Sequence, residues 1–170
     1  TTIKINGVIV GNFTVPATIH SIKLVGASSG ATISANGSGI PLTVNLGANV
    51  MVDKLTITQS GGVSGFGIVN FGSLMISKSF VVNNASEGGI SNFGNLSIKH
   101  SNINSNTGFG VYTQTGGTTN IERSTINENS SYGIYTYSGE VNIVKSTVNT
   151  NGDDGIYNYY GTKSSITDTE

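Results

Sequence analysis

The chain has 170 residues, enough for one domain of ordinary size, and a formal net charge of −1 at pH 7. Gly, Ser, Thr and Asn make up about half of it, and only 10% of residues are Asp, Glu, Lys or Arg. Those four residue types are poor helix formers, which excludes a helical protein. The charge gives no global pull toward nucleic acid or an anionic membrane, and the absence of Cys rules out disulfides, thiolate metal sites and a cysteine nucleophile.

The chain opens as strand, Thr1-Thr2-Ile3-Lys4-Ile5-Asn6, and alternation continues at Val8 and Val10, Ile22 and Leu24, and Leu42 and Val44. Residues 1–66 read as two or three wide, irregular opening coils. From residue 67 a period takes over. Gly67-Ile68, Gly89-Ile90, Gly110-Val111, Gly133-Ile134 and Gly155-Ile156 recur every 21 to 23 residues. A second column runs Val52, Ile76, Ile98, Ile121, Ile143, Ile166, and a third runs Ile57, Val81, Ile103, Ile126, Val148. Three columns keeping one period over five units define a repeat of about 22 residues.

Each unit reads approximately Gly-Ile-x-Asn/Thr-x-x-Gly-x-Leu-x-Ile-x-x-Ser-x-Ile-x-x-Asn. It holds three alternating stretches too short and too β-branched for helices. No such unit buries its apolar face alone, so the coils must stack into a parallel solenoid, one all-β domain over 1–170 with three short strands per coil. No apolar run is long enough to cross a membrane as a helix.

The same period places polar residues in rows. Asn84, Asn106, Asn129 and Asn151 form a ladder just before a turn, and Ser79, Ser101, Ser124 and Ser146 form another. Asn tolerates left-handed turn geometry, and stacked amides hydrogen-bond along the axis, so both rows read as structural. Lys54, Lys78, His100, Arg123 and Lys145 form a cationic row with Lys99 beside it. It reads either as a stripe for an anionic polymer or as charge that keeps a turn soluble. On the outer side of the Gly-Ile strands stand Tyr112, Tyr135 and Tyr157, and two places on Phe71, Phe93, Tyr137 and Tyr159. This face reads as a subunit contact, a sugar-stacking platform, or aromatic packing that only stabilises the sheet.

The stretches Gly89-Ile90-Ser91-Asn92-Phe93-Gly94-Asn95-Leu96-Ser97-Ile98, Ser101-Asn102-Ile103-Asn104-Ser105-Asn106 and Ser146-Thr147-Val148-Asn149-Thr150-Asn151 resemble right-handed parallel β-helix repeat proteins of the pectin-lyase-like superfamily, above all bacterial and archaeal surface proteins. The resemblance implies a right-handed coil, supported by the crossover rule for parallel strands. It leaves function open, since such proteins include polysaccharide lyases, hydrolases, phage spikes, adhesins and passive stalks.

Carboxylate chemistry has few candidates. Asp153 and Asp154 are the only adjacent acids and lie in a turn, His20 and His100 are about three coils apart, and the aspartates do not recur at the period. No acid and base stand at usable spacing, so the expectation is a non-enzyme with no cofactor and no metal. Five Asn-x-Ser/Thr triplets, at Asn12, Asn36, Asn84, Asn95 and Asn129, are about what the composition gives by chance. Proteins of the resembled family usually begin with a capping helix, and none is visible here. The chain is therefore expected to be a piece of a longer protein, or a subunit whose open ends template the next copy. The sequence reads as an extracellular structural protein polymerising head to tail, with a non-catalytic adhesin or polysaccharide-binding module as the alternative and a polysaccharide lyase or hydrolase third.

Overall fold

A computed structural model describes residues 1–37, 39–60, 65–85 and 87–170. Three parallel sheets form the walls of a solenoid. Sheet A holds eight strands: Thr2–Ile5, Ile22–Gly26, Asn49–Asp53, Ser73–Ser77, Asn95–Lys99, Thr118–Glu122, Glu140–Val144 and Lys163–Thr167. Sheet B holds seven: Val8–Val10, Thr32–Asn36, Thr56–Ser60, Phe80–Asn84, Asn102–Asn104, Thr125–Asn127 and Thr147–Asn149. Sheet C holds Phe13–Val15, Leu42–Val44, Phe66–Asn70, Gly88–Asn92, Phe109–Thr113, Ile134–Tyr137 and Ile156–Tyr159. The chain passes A, B, C and back to A, one layer further on each time. The early coils are irregular in their long connections, which set Phe13 against Leu42, Ile22 against Val50 and Leu42 against Ile68.

The register aligns the periodic aliphatics. Val52, Ile76, Ile98, Ile121, Ile143 and Ile166 are successive partners in sheet A. Ile33, Ile57, Val81, Ile103, Ile126 and Val148 do the same in sheet B, and Leu42, Ile68, Ile90, Val111, Ile134 and Ile156 in sheet C. Strand alternation sends these side chains inward, where they meet in one core running along the axis. A single buried Ile such as Ile90 removes about 2–3 kcal/mol of apolar surface from water. No helix among the described residues is long and apolar enough to cross a membrane.

Candidate functional site

The outer face of sheet C is a grid of rings. Because Ile68, Ile90, Val111, Ile134 and Ile156 point inward, their neighbours Val69, Ser91, Tyr112, Tyr135 and Tyr157 point out, and the register stacks them in that order. Tyr137 and Tyr159 are partners two places further on. Ring centroids lie 5.1 Å apart for Tyr112 and Tyr135, 5.5 Å for Tyr135 and Tyr157, and 5.8 Å for Tyr137 and Tyr159. Each layer thus adds a ring at about the strand spacing. Phe71 and Phe93 stack at 4.9 Å nearer the N-terminal end.

The grid is wider than the two columns read from the sequence. Phe66, Phe109 and Tyr132, each just before the Gly of a Gly-Ile pair, join it. Phe109 lies 5.0 Å from Tyr112 and 5.3 Å from Tyr135, and Tyr132 lies 5.2 Å from Tyr157. That third column was present in the period but needed the fold to show that it faces out. Tyr112, Tyr132 and Tyr135 are half-buried by their neighbours, whereas Tyr137, Tyr157, Tyr159 and Tyr160 are exposed. Desolvation among the rings raises the phenol pKa of Tyr112, Tyr132 and Tyr135, with further contributions from neighbouring tyrosines, and from Asp153 at Tyr132. At Tyr159 the main cause of the raised pKa is its hydrogen bond with Tyr160.

The Asn ladder is internal. Asn84, Asn106 and Asn129 are fully buried or nearly so. The Asn106 Oδ1 accepts from the Asn84 backbone N–H at 3.1 Å and from the Asn84 Nδ2 at 2.9 Å. The same pair of bonds links Asn106 to Asn129 and Asn129 to Asn151. Each amide also donates to a backbone carbonyl, as Asn106 Nδ2 does to Val81 O at 3.1 Å. The expectation that these Asn adopt the left-handed turn conformation is corrected. Positive φ falls one residue earlier, at Asn83, Ser105, Glu128 and Thr150, and this twist turns the following Asn inward. The triplets at Asn84 and Asn129 therefore offer no exposed amide, Asn95 is exposed, and the Asn36 triplet includes Ser38, which lies outside the described residues.

Gly67, Gly89, Gly110 and Gly133, at the head of four of the repeats, make room for this ladder. A Cβ on Gly110 would lie 2.5 Å from Gly133 O and 2.7 Å from Asn129 Nδ2, and one on Gly133 would lie 2.5 Å from Asn151 Nδ2. The Ser row is a second ladder: Ser101 Oγ accepts from Ser79 N at 3.1 Å and donates to Lys99 O at 2.8 Å, and the pattern repeats at Ser124 and Ser146. A third, which the sequence reading did not single out, joins buried Asn70 to Asn92 at 2.8 Å and Asn92 to Thr119 at 3.0 Å. Its signal was the Asn/Thr position after each Gly-Ile for Asn70 and Asn92, whereas Thr119 enters from sheet A, where it follows Leu96 and also bonds Thr113.

Lys54, Lys78, His100, Arg123 and Lys145 stand in one exposed row at the corner between sheets A and B, all with φ between 48° and 57°. The row is first a backbone feature, since every coil needs a left-handed residue there to turn the corner. Glu122 pairs with Lys99 at 3.1 Å and with Arg123. The hydrogen bond from Lys99, then its charge, holds the Glu122 carboxyl below its ordinary value.

The family model described as a right-handed β-helix region matches residues 6–170, nearly the whole chain. The chain belongs to the right-handed β-helix family. This agrees with the handedness the sequence resemblance implied. No curated protein and no solved structure matches the chain.

In this β-helix Asp153 accepts a hydrogen bond from Ser131 Oγ at 2.9 Å, in the last turn before Ile156–Tyr159. Among the described residues no three of His, Asp and Glu come together in a group that could hold a metal ion. On sheet C the grid of rings leaves Tyr137, Tyr157, Tyr159 and Tyr160 exposed together toward the C-terminal end.

Proposed function

We propose that this β-helix is a non-catalytic structural protein of the cell exterior, a subunit that stacks head to tail into a fibre or surface layer. What supports the reading is that the three apolar columns run to both end layers and lie open there. At one end Ile3 and Phe13 are 45% and 38% exposed, although their partners Leu24 and Leu42 are buried. With Ile5, Ile9, Val15 and Ile19 they line an apolar hollow of about 300 Å³. At the other end the same columns present Ile166, Val148 and Ile156. Both end layers also carry strand edges able to pair with another strand, and a head-to-tail contact that does not close gives a filament.

Negative-stain electron microscopy with light scattering tests this. Filaments with an axial repeat of roughly 35 Å, about seven strand spacings, are the expected result. A monodisperse monomer at micromolar concentration overturns it.

The aromatic grid favours a second reading, a polysaccharide-binding adhesin, because flat exposed rings at regular spacing suit stacking on sugar faces. In that case Tyr135→Ala and Tyr157→Ala abolish retention on the polysaccharide while the chain stays monomeric. Catalysis would instead show as turnover lost on Asp153→Asn and Asp154→Asn.

A further inference from the structure

Charge is laid out on the β-helix by corner. From Thr32–Asn36 onward, the outward residues flanking the inward Ile or Val of each sheet B strand are Thr, Ser or Asn, apart from Phe80 and Val82. No strand of that sheet contains Asp, Glu, Lys or Arg. Its two margins differ. The corner where sheet A turns into sheet B carries the left-handed cationic row, and the corner where sheet B turns into sheet C carries Glu87, Glu128, Asp153 and Asp154, all exposed. Among the described residues the ion pairs join Lys23 to Asp53 and Glu122 to Lys99 and Arg123. Lys78, Lys145 and the four acids of the second corner therefore have no opposite charge paired with them in the chain. Arg123 shares one carboxylate with Lys99, so its corner also keeps a net positive charge.

The two margins match coil by coil. The coil through Phe80–Asn84 has Lys78 at one margin and Glu87 at the other, and the coil through Thr125–Asn127 has Arg123 and Glu128. The coil through Thr147–Asn149 has Lys145 with Asp153 and Asp154. Lys54 and His100 have no such counterpart, since the sequence holds no acid between Ser60 and Phe66 or between Asn104 and Phe109. A face with cations along one edge and acids along the other is complementary to itself. A two-fold axis parallel to the solenoid axis lays sheet B of one copy on sheet B of another, strands opposed and coils level. Lys78, Arg123 and Lys145 of each copy then stand opposite Glu87, Glu128 and Asp154 of the other. Phe80, 48% exposed, lies over Val82 of the second copy. Laying the rods in opposite directions would set lysine against lysine, so charge selects the parallel pair. Strand length and layer spacing give a face of roughly 16 Å by 30 Å. That is about 500 Å² a side, less than the ~800 Å² of a standard interface. The charged margins therefore carry the joint, and salt weakens it.

We infer that sheet B is the interface of a parallel two-fold pair of this chain, closed by Lys78–Glu87, Arg123–Glu128 and Lys145–Asp154 contacts between copies. The pairing uses internal coils and stands whether or not copies also stack head to tail. Sedimentation velocity in low-salt buffer tests it on four samples. They are the parent chain, Lys78→Glu/Arg123→Glu/Lys145→Glu, Glu87→Lys/Glu128→Lys/Asp154→Lys, and an equimolar mixture of the two variants, each variant first shown by circular dichroism to keep the parent's β-sheet spectrum. The parent is expected as a dimer that dissociates as salt rises. Each triple variant sets like net charge face to face at both margins and should bind itself at least roughly tenfold more weakly. The mixture restores opposite charge at both margins and should regain a 1:1 pair. A mixture no heavier than its components, a parent mass indifferent to salt and to both swaps, or a mixture that grows past 1:1 overturns the pair. Should a triple variant fail to fold, Lys78→Gln/Arg123→Gln/Lys145→Gln replaces it, and an unchanged salt dependence there overturns the pair. Where the parent also forms filaments, electron microscopy reads the same samples. Two rods abreast in the parent and the mixture, against single rods in each swap, are then expected. Equal widths in all four overturn the pair and leave head-to-tail stacking in place.

Discussion

The opening coils and the regular coils close the same three walls with different interiors. In the opening coils the inward positions at the ends of the strands are mostly apolar: Val15 and Val44 in sheet C, Ala31 and Leu55 ahead of sheet B, and Ala35 within it, whose column turns polar at buried Gln59. In the regular coils the same columns hold Asn70 and Asn92, Ser79 to Ser146, and Asn84 to Asn129, all buried. In two of the columns the switch falls at one step, since Val44 pairs with Asn70 and Leu55 N donates to Ser79 Oγ at 3.1 Å. An apolar column tolerates irregular connections, because dispersion and burial are not directional. A hydrogen-bonded ladder needs its rungs at a fixed rise and in register, which forces each coil to the same length. The long connections of the early coils and the near-constant period of the later ones follow from that difference.

The sharpest way to break the contrast is Asn106→Ala. It strands the buried Asn84 N–H, takes from Asn84 Nδ2 its shortest partner and from the Val81 carbonyl a donor, and removes a rung from between two neighbouring coils, at about 1–3 kcal/mol for the orphaned buried N–H alone. A loss of several kcal/mol in urea unfolding is expected, against roughly 1–3 kcal/mol for Val44→Ala in the opening coils. A loss for Asn106→Ala no larger than for Val44→Ala would show that the ladder is not what orders the regular coils.

Gly110→Ala comes next. Its Cβ would meet a backbone oxygen and the ladder amide of Asn129, neither of which can move without shifting a neighbouring coil. A destabilisation of about 2–3 kcal/mol is expected, in the range of overpacked cores. Gly30, in an opening-coil connection with nothing within 4 Å of an added Cβ, should lose only the cost of its positive φ, about 1 kcal/mol. Equal thermal shifts for the two variants would contradict the account.

The aromatic grid gives a pH test. Tyr112, Tyr132 and Tyr135 have raised pKa values in the folded chain, so folding favours their neutral phenols. Their contribution is full below the unfolded tyrosine pKa of about 10 and falls as pH rises through the higher folded values. The thermal midpoint should drop as pH rises above about 10, and Tyr135→Phe should reduce the drop. An unchanged pH slope in that variant would remove Tyr135 from the cluster's titration.

The smallest effect is expected at the cationic row. Lys78→Gly relieves a left-handed φ of 49° at an exposed corner and should stabilise the chain by up to about 1 kcal/mol. A destabilisation in differential scanning calorimetry would mean that the Lys78 side chain does more than occupy the corner.

Much of this was legible because a solenoid converts sequence period directly into spatial neighbours. Once Ile76, Ile98, Ile121 and Ile143 share a period, they must stack, and so must Tyr112, Tyr135 and Tyr157. Phe109 and Tyr132 were harder, because a residue beside a Gly carries no clear alternation and its facing depends on the twist of the preceding turn. The Asn ladder was found as a row and misplaced as a turn residue, since the same Asn preference serves left-handed corners and buried amide stacks. Only the φ values at Ser105 and Glu128 separate the two.

The sequence by itself determined the parallel coil, its period, the aliphatic core and the rows of Asn, Ser, Lys and Tyr, because repetition at one spacing admits only stacked layers. The tertiary structure alone decided which polar rows face the axis, and that Gly67, Gly89, Gly110 and Gly133 each leave room for an Asn amide. Those depend on how each corner turns the backbone, and a corner's handedness is set by contacts with the coils above and below it.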